Sequence, residues 1–181
     1  MMRALLLAAL LAAPAQAAAE VVASAPDGFT LRFSGLSPRP PAEAWAALAD
    51  WSGWWPDAQT FSGKAANLSF GAEADGELEE EWDGGWASHG EVVLAMPPKL
   101  LRRHAAFGAL QALSVAGVLE FALAPEGQGT RLTLTCRVGG PASAKLDSLA
   151  APVNALFPEA FARLLAHTPP PPSAEPAQKE P

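Results

Sequence analysis

Glu80 and His89 stand on either side of Asp83-Gly84-Gly85, in the run 77–96. A carboxylate and an imidazole within hydrogen-bond reach can move a proton on a bound molecule, or hold its polar end. The turn between them decides whether they meet. Asp-Gly and Gly-Gly pairs between alternating runs signal a tight β-hairpin. With Gly84-Gly85 as a two-residue loop, Asp83 pairs with Trp86 and Glu80 falls opposite His89, where Cβ atoms stand ~4.5–5.5 Å apart. Leu78, Trp82 and Ala87 share that face. Glu77, Glu79 and Glu81 take the other, a solvated row that discourages edge pairing. Alternation therefore points Glu80 and Trp82 inward. A buried carboxylate needs a partner, because an unpaired one is costly or takes up a proton. His89 is the nearest, and Arg103 on the next strand is a second. Ligand anchoring, acid/base catalysis by Glu80 and His89, and a structural pairing all remain open on these residues.

Little else in the chain has the spacing of a reactive site. His89, His104 and His167 lack metal-ligand spacing, so no metal and no cofactor is expected. A Gly-x-Ser-x-Gly elbow and a phosphate-binding glycine loop are both missing. Cys136, the single cysteine, cannot form an internal disulfide. It lies among Leu132, Leu134 and Val138 and reads as a small buried apolar group.

The surrounding elements follow from periodicity. Residues 28–36 alternate Phe29, Leu31 and Phe33 against Thr30, Arg32 and Ser34, which predicts a half-buried strand. Pro38, Pro40 and Pro41 end it, and a short helix follows over 42–49. A second helical turn or tight loop is expected at 50–55, with Trp54 and Trp55 capping the core. Strands are predicted at 67–70, 77–82, 86–96, 100–106, 115–123 and 130–138. Residues 107–113 are ambiguous between helical turn and loop. Over 142–167, Leu146, Leu149, Val153, Leu156, Phe157, Phe161 and Leu164 recur at helical spacing. Pro152 and Pro158 predict a bent helix or two stacked pieces. The order is that of an α+β fold, an antiparallel sheet of about seven strands covered by one long helix. Such a helix and sheet can enclose an apolar cavity. Its expected lining is Trp54, Trp55, Leu78 and Trp82, then Leu119 and Phe121 from the sheet, and Leu149, Val153 and Phe157 from the helix. Glu80, His89 and Arg103 supply its polar side.

The ends read as an address and a tail. Arg3, the apolar run 4–13 and Ala15-Gln16-Ala17 have the form of a secretory signal cleaved after Ala17. That predicts a periplasmic or secreted protein with no transmembrane span after cleavage. Residues 18–27 read as a leader and 28–167 as the domain. The tail 168–181 (TPPPPSAEPAQKEP) is expected to be disordered, and could dock an envelope protein. Removing residues 1–17 takes away Arg3 and moves the net charge from −7 to −8. An acidic domain without a basic run is a poor partner for nucleic acid or an anionic membrane surface.

Three motifs add a resemblance: WWPDAQTFSGKAANLSF at 54–70, FGALQALSVAGVLEFAL at 107–123, and GTRLTLTCRVGG at 129–140 followed by LAAPV at 149–153. With these, residues 28–167 resemble the START-like or SRPBCC superfamily, whose members include polyketide cyclases and birch-pollen-allergen-like proteins. The resemblance implies a helix-grip fold, a seven-stranded antiparallel sheet wrapped on the C-terminal helix around an apolar cavity. Glu80 and His89 match positions where similar bacterial proteins usually keep the same residue type. Gln59 departs, since relatives often have His there. Glu77-Leu78-Glu79-Glu80 stands where relatives often carry Cys-x-Cys-Glu. The expected function is binding of a small hydrophobic molecule or lipid. The alternatives are a cyclase or dehydratase using Glu80 and His89, and an envelope interaction module.

Overall fold

The computed structural model describes residues 18–73, 75–105 and 108–170. The expected signal segment and the tail beyond residue 170 lie outside the described residues. Residues 18–25, expected as a leader, form strand β1 (Ala18–Ala25) and pair back onto β2 (Gly28–Ser37). The strand count is therefore eight rather than about seven. The side chains from Ala19 to Ala25 are all exposed. Without a buried face, β1 has no period of two to read. Its backbone makes it a strand by completing the open edge of β2.

The remaining strands are β3 (Leu68–Phe70), β4 (Glu77–Trp82), β5 (Gly85–Met96), β6 (Leu100–His104), β7 (Ala116–Glu126) and β8 (Gly129–Gly139). All pair antiparallel in the order β1-β2-β8-β7-β6-β5-β4-β3. Between β2 and β3 lie α1 (Pro41–Ala49) and α2 (Trp51–Trp54), followed by single 3-10 turns at Asp57–Gln59 and Ala65–Asn67. The ambiguous stretch becomes a 3-10 turn at Gly108–Ala112. The C-terminal helix is α3 (Asp147–Ala166), one element with both prolines inside it. Pro152 and Pro158 are exposed, and of the two expected outcomes, a bent helix or two stacked pieces, the division does not occur.

The inward alternation survives in three dimensions. Phe29, Leu31 and Phe33 on β2 are buried, as are Leu119, Phe121 and Leu123 on β7 and Leu132, Leu134, Cys136 and Val138 on β8. The C-terminal half of α3 is clamped to this layer. Phe33 meets Phe157 at 5.2 Å and Phe161 at 6.1 Å between ring centroids. Each such buried ring contributes roughly 1.5–3 kcal/mol. Gly35 permits the close approach, since a Cβ there would stand 2.3 Å from Leu165 Cδ1. Arg39 donates to the carbonyls of Leu165 (3.2 Å) and Ala166 (2.7 Å), placing a cation at the negative end of the helix. His167 Nε2 lies 2.7 Å from Asp50 Oδ2 and fastens the same corner.

The β4–β5 hairpin differs from the sequence expectation in register. Gly84 takes φ +89°, so the loop is Asp83-Gly84, with Trp82 opposite Gly85 and Glu80 opposite Ala87. The register then shifts between Glu77 and Glu79, opposite His89 and Gly90. Gly90 sits at φ +112°, and a Cβ there would fall 2.1 Å from the carbonyl oxygen of His104. Alanine at this position is strained in φ and collides with backbone. Gly90→Ala is expected to cost about 2 kcal/mol, lowering Tm by roughly 4–8 °C. A melting temperature unchanged within error in a thermal melt of the variant would show that the bulge does not need glycine.

Candidate functional site

Glu80 is fully buried on β4. Its oxygens accept the backbone N–H of Phe61 (3.0 Å) and of Ser62 (2.5 Å), and Oε2 lies 3.0 Å from His89 Nε2. Burial alone would raise the Glu80 carboxyl. Hydrogen bonds from Ser62, Phe61 and His89 outweigh it and hold its pKa below the ordinary value. Glu80 is thus ionised at neutral pH. His89 is held below its ordinary value chiefly by burial, with Arg103 acting in the same direction and Glu80 opposing. A neutral imidazole beside a carboxylate donates, so Nε2–H points to Glu80 Oε2. The His89 ring also stacks on Phe61, 5.7 Å between centroids and 11° from parallel.

Arg103 lies fully buried on β6, behind the same hairpin. Its Nη2 donates to the carbonyls of His89 (2.6 Å) and Gly90 (3.1 Å). Its guanidinium carbon sits 5.0 Å from the Trp51 ring centroid and 5.8 Å from that of Phe70, a cation–π arrangement on two rings. Burial pushes its pKa down to about 9, which leaves it charged at neutral pH. The bulge that shifts the register is therefore also what turns two carbonyls toward Arg103.

The backbone partners of Glu80 belong to a strap, residues 57–64, that runs from α2 to β3. Asp57 Oδ1 accepts the Ala65 N–H at 2.7 Å, and Thr60 Oγ1 donates to Asp57 O at 2.7 Å. Gln59 Nε2 donates to Leu156 O on α3 at 2.7 Å. The strap thus bridges the sheet, through Glu80, and the helix, through Gln59. Sequence reasoning missed its hold on Glu80 because those anchors are backbone N–H groups, which leave no mark in residue type.

Between the strap, the sheet and α3 lies a pocket of about 410 Å³. The middle of α3 forms one wall with Leu149, Pro152, Val153, Leu156 and Phe157. Leu78 and His89 contribute from β4 and β5, and Val118, Leu119, Cys136 and Val138 from β7 and β8. Trp55, Gln59, Thr60 and Phe61 line the strap side. Phe61 and Leu156 are about half exposed, at 50% and 49%, and mark the mouth. Burial pushes the Cys136 thiol up to about 12, so it remains a neutral apolar contact.

Seven sequence candidates share this lining: Trp55, Leu78, His89, Leu119, Leu149, Val153 and Phe157. The other five lie elsewhere. Trp54 packs at a tilt against Trp51, 4.5 Å between ring centroids, and donates from Nε1 to Leu48 O at 3.3 Å. Phe121 packs edge-on against Trp51 at 5.9 Å. Glu80 and Arg103 stand behind the wall, fully covered. Trp82, expected to face the cavity, is half-buried and its ring lies over Gly85 at the end of the hairpin. It keeps its alternation with Leu78 and Glu80, but it is not part of the pocket lining. Among the described residues no group of three or more His, Cys, Asp or Glu could hold a metal, and no helix is long and apolar enough to cross a membrane.

No family model matches this chain, and no curated protein matches it. Solved bacterial structures do. A protein from Mesorhizobium loti is similar at 21% identity and TM-score 0.54, covering 75% of this chain and 93% of its own. One from Rhodobacter sphaeroides shows 16% identity and TM-score 0.54, over 81% and 95%. A conserved protein of unknown function from Enterococcus faecalis shows 12% identity and TM-score 0.57, over 91% and 82%. At these identities the likeness is one of fold, an antiparallel sheet with a C-terminal helix.

Proposed function

We propose that this chain is an exported member of the START-like superfamily that holds a small hydrophobic molecule or lipid between α3 and the sheet. The observation that carries the reading is the 410 Å³ pocket with its largely apolar lining, a volume within the ~300–1,000 Å³ usual for small-molecule sites. The three sequence motifs and the fold likeness to bacterial proteins support the family assignment. The state of Glu80 favours binding over the cyclase or dehydratase alternative. A general base needs a lone pair aimed at substrate and a pKa near the working pH. Glu80 has both oxygens on protein donors and a lowered pKa.

Native mass spectrometry of the full chain, produced with its leader in a Gram-negative periplasm, tests the reading. The expected result is a polypeptide beginning at Ala18 that carries a reproducible small-molecule adduct, lost on denaturation. A bare polypeptide that also fails to take up N-phenyl-1-naphthylamine, a neutral apolar fluorophore, would remove the binding function.

A further inference from the structure

We infer that the pocket selects an uncharged amphiphile with a hydrogen-bond donor at its head, such as an alcohol, and rejects the matching carboxylate. The inference rests on the binding function proposed above and narrows it to a ligand class.

The first support is what lines the pocket. Among the described residues, none in its lining is Asp, Glu, Lys or Arg. His89 is in the lining, and Glu80 and Arg103, which lie beside it, carry opposite charges. Glu80 and Arg103 are fully covered. The Glu80 oxygens are occupied by Phe61, Ser62 and His89, and Arg103 Nη2 is held by two backbone carbonyls. His89 is held below its ordinary pKa, with Nε2 3.0 Å from Glu80 Oε2, so at neutral pH it presents no cation to the pocket. An entering anion therefore loses its water and gains no cation, which is the costly case for burying charge.

The second support is the polarity of the rim. Thr60 has given its only hydroxyl hydrogen to Asp57 O, so its oxygen presents lone pairs. Gln59 uses one of its two amide N–H groups on Leu156 O, and its Oε1 is an acceptor as well. An alcohol or amide head can donate to these oxygens. An ionised carboxylate only accepts, so it can use neither oxygen.

The test is displacement of N-phenyl-1-naphthylamine at neutral pH by 1-decanol and by decanoate, which share a chain length and differ in head group. Decanol is expected to compete at about 100-fold lower concentration than decanoate. Leu156→Lys adds a cation at the mouth, at a position already half exposed, where a charge does not threaten folding. In that variant the preference should shrink to about tenfold or less, because decanoate gains a counter-ion. Equal competition by decanol and decanoate in the unaltered protein would overturn the inference while leaving the binding function standing. So would a Leu156→Lys variant that keeps the full preference. Failure of the fluorophore and of both competitors to bind would overturn the inference together with the function beneath it.

Discussion

Glu80→Gln is expected to lower stability by about 3 kcal/mol, since buried hydrogen bonds to a charged group contribute ~1.5–3 kcal/mol each and a stranded buried donor costs ~1–3 kcal/mol. Glutamine has nearly the same shape but offers one acceptor oxygen where glutamate offers two. Phe61 N–H and Ser62 N–H reach separate oxygens of Glu80, so in the variant one of them faces an amide N–H. Part of the strap then loses its hold on β4. For a domain of this size the loss corresponds to a Tm lower by roughly 6–12 °C. A thermal melt unchanged within about 1 °C would show that the carboxylate does not hold the strap.

The same substitution has a signature in pH. Glu80 is held below its ordinary pKa of 4.5, so the stability it contributes is present above that value and is lost as pH falls through the folded value. His89 is held below its ordinary 6.5. On acidification the unfolded chain takes up that proton first, and stability begins to fall below about pH 6.5. Both contributions make acid destabilising. Glu80→Gln removes the carboxylate step. It also lowers the His89 pKa further, because the one group opposing burial and Arg103 has gone. An NMR titration of the His89 ring reads this shift, which loss of packing alone would not produce. A His89 pKa that rises in the variant would contradict the pairing.

Val153→Trp is expected to weaken ligand binding by about 30-fold while leaving the fold in place. Val153 lines the pocket from the middle of α3 and is only half-buried. An indole there projects into existing space instead of into packed core, so overpacking strain stays small. Displacing ~80 Å² of ligand contact removes roughly 2 kcal/mol, which is about 30-fold in affinity. Fluorophore titration of both proteins, with circular dichroism to verify the helix and sheet, measures the effect. Unchanged affinity in a folded variant would place the ligand outside this pocket.

How much of the site was legible in the chain is best seen at the hairpin. The expected loop was Gly84-Gly85, and the observed loop is Asp83-Gly84. The two registers differ by two residues on the facing strand. A slip of two preserves the face, whereas a slip of one would reverse it. Glu80 and His89 therefore still meet, as diagonal neighbours instead of direct ones. Arg103 was legible as a second cation, but the sequence could not show that its donors go to the carbonyls of His89 and Gly90. Those carbonyls turn toward it only because Gly90 adopts a positive φ at the bulge.

Local chemistry in the sequence determined which residues alternate inward, where the chain turns, and that one long apolar helix closes the fold. Each of these depends on neighbours within a few positions, and such patterns are written in residue order. The tertiary structure decided which inward residues face a void. Trp54 and Phe121 join an aromatic cluster, and Trp82 lies over Gly85 at the end of the hairpin, while Trp55 and Val153 face open space. That outcome depends on the distance between a helix clamped at one end by Phe33 and Arg39 and a sheet bridged to it by a strap. It also made β1 a strand, since pairing with an open edge needs only backbone. Distances between elements far apart in sequence arise from packing, and no periodicity encodes them.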